Sequence, residues 1–120
     1  MNRLEKWKLL ASTIILDTPY FRLRRDRCEL PNERIIDDYY VIENHDIVMV
    51  FALTSAQELV LVEQYKHGIA EICLELPGGI AEGDEAVTEA RREFLEETGY
   101  DGSSYQHLAT FITNPTRSNN

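Results

Sequence analysis

Glu89, Glu93, Glu96 and Glu97 are the residues of this chain whose type and spacing can do chemistry. With Glu93 at the origin of a helix turning 100° per residue, Glu96 falls at about −60°, Glu97 at about +40° and Glu89 at about −40°. Four carboxylates therefore share an arc of about 100°. Like charges stacked on one helix face repel each other. A solvated helix face is the plain alternative, but it would intersperse Lys or Arg, and none occurs between Glu93 and Gly99. A divalent cation would neutralise the cluster, and all-carboxylate donors suit Mg²⁺ or Mn²⁺ better than zinc. Two neighbours strengthen this reading. Arg92 offers a guanidinium that can hold an adjacent carboxylate by a bidentate bond, or else form an ordinary surface ion pair. Pro77-Gly78-Gly79 ends a strand before the helix, and its glycines allow close backbone approach and can free a carbonyl for a metal.

The elements that must position these groups are a set of strands and one strong helix. Trp7–Leu16, Phe21–Arg24, Arg34–Ile42, Asp46–Thr54, Glu58–Gln64, Ile72–Leu76 and Tyr105–Ile112 are the strand candidates, from β-branched runs or period-2 alternation. Asn44-His45-Asp46 and Ser55-Ala56-Gln57 are turns. The helix runs from Asp84 or Glu85 to Thr98, with acid in its first turn and Gly99 as its stop. Ala86, Val87, Ala90 and Phe94 form its apolar face.

With 120 residues the chain is expected to hold one compact fold and no repeat. The net charge is −9, a poor default for binding nucleic acid through its phosphates. The acid is concentrated: residues 71–101 carry ten acidic residues and only Arg91 and Arg92, whereas residues 1–30 carry seven basic and four acidic. The longest apolar run, Ile47–Leu53, is seven residues, too short to cross a membrane. Cys28 and Cys73 cannot make a disulfide scaffold, which fits a reducing, cytoplasmic setting. His45, His67 and His107 lack metal-ligand spacing, and Ser103-Ser104 lacks a nucleophile context. Tyr39-Tyr40 reads as packing of the N-terminal strands.

Gly78 to Tyr100, GGIAEGDEAVTEARREFLEETGY, resembles the Nudix hydrolase box. The family pattern is Gly, five residues, Glu, seven residues, Arg-Glu, an apolar residue, any residue, Glu-Glu, any residue, Gly, apolar. Its second half matches at Arg92, Glu93, Phe94, Glu96, Glu97, Gly99 and Tyr100. Its first half departs: counting back from Arg92 places Asp84 at the first Glu, and counting forward from Gly79 places Glu85 there with six residues left before Arg92. Leu61-Val62-Glu63-Gln64-Tyr65-Lys66-His67-Gly68 and Leu74-Glu75-Leu76-Pro77 resemble the ADP-ribose pyrophosphatase branch. There Gln-Tyr is followed by an Arg that contacts phosphate; Lys66 keeps the charge and loses the bidentate fork. Pro115, 15 positions beyond Tyr100, matches a proline of that branch.

The resemblance implies an α+β fold, a Nudix α/β/α sandwich with a mixed sheet (residues 45–120), preceded by an N-terminal antiparallel sheet (residues 1–44) that exchanges strands in a homodimer. It implies Mg²⁺-dependent hydrolysis of the pyrophosphate bond in a nucleoside diphosphate linked to another moiety, ADP-ribose or a nucleoside diphosphate sugar. Mn²⁺ is the expected substitute cation. Glu93, Glu96 and Glu97, with the Gly78 carbonyl, would hold the metal, and Arg92 would support them. Lys66, Glu75, Arg22 and Arg24 would contact substrate. The other function class is a Nudix-fold module that binds such a ligand with little turnover. The family fold continues beyond Asn120 with further strands, a C-terminal helix and a late-loop glutamate base. The sandwich is therefore expected to be incomplete at its C-terminal side, with low stability, weak turnover and Glu96 as the nearby base. Glu97→Gln is expected to abolish turnover and to ease repulsion along the metal-free helix.

Overall fold

A computed structural model describes residues 3–120. The chain forms two compact units, one of residues 1–45 with 110–120 and one of residues 46–109. The last eleven residues join the first unit. They do so through backbone bonds. Ile42 N–H donates to the Arg117 carbonyl at 2.7 Å and Asn119 N–H to the Ile42 carbonyl at 3.2 Å.

In the first unit β1 (Lys8–Asp17), β2 (Phe21–Glu29) and β3 (Ile35–Asn44) form an antiparallel sheet in the order β1-β2-β3. Its first turn is made by Thr18, whose hydroxyl oxygen accepts the Tyr20 and Phe21 N–H groups at 3.2 and 3.0 Å. The second places Glu33 at φ 64°. Irregularities between Leu9 and Ala11, Ile14 and Leu16, and Asp26 and Cys28 interrupt the pairing register. Trp7 meets Tyr39 edge to face at 5.7 Å. Cys28 and Val41 are buried, while every residue of β1 is exposed.

In the second unit β4 (Ile47–Met49) pairs with β7 (Gly78–Ile80), and β5 (Val62–Lys66) with β6 (Glu71–Glu75), both antiparallel. The helix α1 (Ala86–Thr98) packs on β4 and β7. Gly99 ends it at φ 73°, donating its N–H to the Leu95 carbonyl at 2.9 Å. The architecture is the expected α+β class, with antiparallel ribbons in place of one continuous mixed sheet among the described residues.

Several elements differ from expectation. Gly78-Gly79, expected only as the end of a strand, belongs to β7: Gly78 lies so close to the Val48 carbonyl and Met49 Cα that a Cβ would overlap both. The Asp46–Thr54 and Glu58–Gln64 candidates shrink to β4 and β5 plus a single Leu53–Leu59 bridge. Tyr105–Ile112 has no strand. Leu108, Phe111 and Ile112 are exposed, and propensity without a pairing partner or burial does not make a strand. On α1, Phe94 is buried, yet Val87 is 38% exposed, so the apolar face is narrower than the periodicity implied.

Candidate active site

The helix periodicity places Glu93 and Glu97 one turn apart, and tertiary packing brings both onto the same two glycines. The Glu93 carboxylate lies against Gly79 Cα, where a Cβ would overlap all three of its terminal atoms. The Glu97 carboxylate accepts the Gly78 N–H through Oε2 at 3.0 Å. Gly78 thus engages Glu97 through its N–H, while its expected ligand atom is its carbonyl.

Arg92 organises the acidic face. Its Nη2 donates to Glu89 Oε2 at 2.8 Å, to Glu93 Oε1 at 2.9 Å and to the Ile80 carbonyl at 3.1 Å. Its Nη1 donates to Glu96 Oε2 at 3.2 Å. Its pKa is raised, first by the hydrogen bond with Glu89. One guanidinium therefore relieves much of the repulsion among three carboxylates. Glu96 remains the most exposed of these, at 57% of its side chain.

Glu89 does something the helix projection did not show. Its side chain is 1% exposed and turned away from solvent. Oε1 accepts the Glu82 N–H at 2.7 Å and the Asp84 N–H at 3.1 Å, and Oε2 accepts Arg92. The Arg92 bond, then these backbone bonds, hold its carboxyl below the usual range against the opposing effect of desolvation. Asp84, at the first Glu position of the box, contributes its N–H to Glu89, and Glu85 stands at the helix N-cap without a side-chain cap bond. The one signal in the sequence was the i,i+3 spacing of Glu89 and Arg92.

Lys66 and Glu75 come together with the helix glutamates. Lys66 Nζ lies 2.8 Å from Glu75 Oε2 and donates to Gln64 Oε1 at 3.1 Å, and Gln64 Nε2 donates to Glu97 Oε1 at 2.8 Å. Glu75 raises the Lys66 pKa, so the ammonium stays charged. Gln64 carried no role in the sequence beyond its motif. Arg22 and Arg24 lie in the first unit and bind carboxylates there. Arg22 is 2.8 Å from Glu43, and Arg24 is 2.6 Å from Glu43 and 3.0 Å from buried Asp26. A phosphate would have to compete with those carboxylates for either arginine.

Among the described residues no three acidic, His or Cys side chains converge into a preformed cation cage. The donor chemistry still fits Mg²⁺, which is held by one or two carboxylates and completes its shell with water and substrate phosphate. Glu93 and Glu97, gathered at Gly78-Gly79, are two carboxylates that could serve in such a shell.

Comparison with known proteins gives the family. Residues 7–42 match the nucleoside diphosphate sugar hydrolase N-terminal domain and residues 43–119 the NUDIX domain. A methanol dehydrogenase activator of Bacillus methanolicus is 30% identical over 116 residues, covering 96% of this chain and 62% of its own. ADP-ribose pyrophosphatases of Bacillus subtilis (strain 168) and Mycobacterium tuberculosis (strain ATCC 25618 / H37Rv) are 28% and 32% identical, over 96% and 91% of this chain. The chain spans 62% and 53% of the length of those two enzymes. A crystal structure of an ADP compounds hydrolase superposes with a TM-score of 0.86 at 20% identity, over 98% of this chain and 64% of that one, and shares its fold. The NUDIX match over residues 43–119, more than half of the sequence, takes in the whole unit in which the helix carboxylates meet the paired glycines, and the chain belongs to the NUDIX family.

Proposed function

We propose that the chain carries a Mg²⁺-dependent diphosphatase site, with Mn²⁺ as substitute, acting on ADP-ribose or a nucleoside diphosphate sugar. The observation that carries this reading is the gathering of Glu93 and Glu97 onto Gly78-Gly79. The relatives named ADP-ribose pyrophosphatase support the substrate class. A bound divalent cation would neutralise the pyrophosphate oxygens and lower the pKa of water. Glu93 and Glu97 would hold it, with a carbonyl of the Pro77–Gly79 segment as the expected backbone donor. Arg92 fixes Glu93 and Glu96, so little reorganisation is needed during reaction. Glu96, the exposed carboxylate, takes the proton from the attacking water. Lys66, charged and steadied by Glu75, faces the substrate phosphate. Water adds across the P–O–P bridge, and two phosphomonoesters leave.

The substrate test is a panel of nucleoside diphosphate compounds with Mg²⁺, read by phosphate released from the products with a coupled phosphomonoesterase. ADP-ribose should give AMP and ribose 5-phosphate. No turnover of any member by the folded chain would refute the proposal.

The assembly we propose is a homodimer through the N-terminal sheet. β1 is an edge strand, and Leu9, Ile14, Ile15 and Leu16 are 46–59% exposed on it. A monomeric mass by light scattering at micromolar concentration would overturn this. The proposed setting is the cytoplasm, supported by unpaired Cys28 and Cys73. Among the described residues no helix is long and apolar enough to cross a membrane.

A further inference from the structure

Gln64 stands between two groups that the proposed reaction uses. Val62, Gln64 and Lys66 are the half-buried residues of β5, alternating with exposed Glu63 and Tyr65. The Gln64 carboxamide donates through Nε2 to Glu97 Oε1 at 2.8 Å and accepts Lys66 Nζ through Oε1 at 3.1 Å. Its two neighbours dictate its orientation: a reversed amide would set C=O against a carboxylate and NH₂ against an ammonium. Lys66 also reaches Glu75 at 2.8 Å, and the other Glu97 oxygen accepts the Gly78 N–H at 3.0 Å. Each Glu97 oxygen is thus pinned on one lone pair, which fixes the carboxylate plane and leaves other lone pairs for a cation.

We propose that Gln64 is a positioning residue that ties the phosphate-facing Lys66 to the cation ligand Glu97, so that cation and substrate phosphate are held in one geometry. This rests on the reading of Glu97 and Lys66 given above. Partners that orient a ligand carboxylate from behind typically alter metal affinity about 10-fold to 100-fold when removed. Lysine is a flexible point charge without the planar fork of arginine. It therefore depends on neighbours for direction, and Gln64 and Glu75 provide that direction from two sides.

The test uses Gln64→Met, which keeps the length and removes both hydrogen bonds. Mn²⁺ binding to the full chain is read by electron paramagnetic resonance without substrate, beside a thermal melt and steady-state kinetics on ADP-ribose. The expected result is a cooperative melt, Mn²⁺ affinity reduced about 10-fold, and a raised KM. Adding Lys66→Met to Gln64→Met should raise KM by less than Lys66→Met does in the wild-type background, because both changes break the same link. If Gln64→Met does not fold, Gln64→Asn retracts the amide by one methylene and should show the same loss. Mn²⁺ affinity within about twofold of wild type in the folded variant, with additive effects on KM, overturns the proposal and leaves Glu97 as a ligand. A wild-type chain that binds no Mn²⁺ overturns both this proposal and the cation reading.

Discussion

Gly79→Ala should inactivate the site while leaving the fold in place. Gly79 is not among the glycines with positive φ, so the backbone tolerates an alanine there. The new Cβ would, however, fall 2.6 Å from Glu93 Oε1 and overlap the rest of that carboxylate. Ordinary contact is near 3.5 Å, so the carboxylate must retreat by roughly 1 Å. It sits at the end of a flexible side chain and can swing away cheaply, giving up its bond to Arg92. Alanine also stiffens the unfolded chain by about 0.4–1 kcal/mol, which offsets that loss. The melting temperature should therefore move by no more than about 5 °C. A ligand misplaced by about 1 Å can cost on the order of 100-fold, and kcat/KM should fall by that factor. The assay is kcat/KM on ADP-ribose at saturating Mg²⁺, with a melt on the same sample. A folded variant retaining kcat/KM within about threefold of wild type would refute the reasoning, since that change is far below the cost expected for a displaced ligand.

Gly78→Ala should do the opposite. Its Cβ meets the Val48 carbonyl and Met49 Cα, which cannot rotate away, and overpacking should cost about 1–3 kcal/mol in a denaturant titration. Glu97→Gln should abolish Mn²⁺ binding and lower stability by about 1 kcal/mol rather than ease the helix, because an amide replaces one of two accepting oxygens and sets N–H against N–H. Glu89→Ala should lower the melting temperature by stranding the Glu82 and Asp84 N–H groups and Arg92. The Glu43 carboxyl is held below its ordinary 4.5, first by its hydrogen bond to Arg24. A depressed folded pKa means that its contribution to stability is complete above about pH 4.5 and is lost as pH falls through the folded value. Melts from pH 6 to 3 should therefore fall less steeply for Glu43→Gln than for wild type, and parallel slopes would count against the pairing.

The helix and its acidic face were legible in sequence because helical geometry is local. Spacing alone sets Glu93, Glu96 and Glu97 on one side of α1, and Gly99 stops the helix whatever surrounds it. The matched box tail, Arg92 to Tyr100, carried the family for the same reason. The β1 and β3 strands were legible too, from their β-branched and aromatic content, and the start of β2 from its alternation. Other features depended on residues distant in the chain. Tyr105–Ile112 has strand-forming residues and no ladder to join. Glu89 shares the helical arc of the other glutamates, yet the loop at Glu82–Asp84 folds over it and makes it a structural acceptor. Gln64 and Glu97 are 33 positions apart, and their bond exists only because α1 and β5 are brought into reach of each other. Periodicity determines which way a side chain leaves its own element; what it meets there is decided by packing between elements, and the orientation of the carboxylates at Gly78-Gly79 belongs to that second kind.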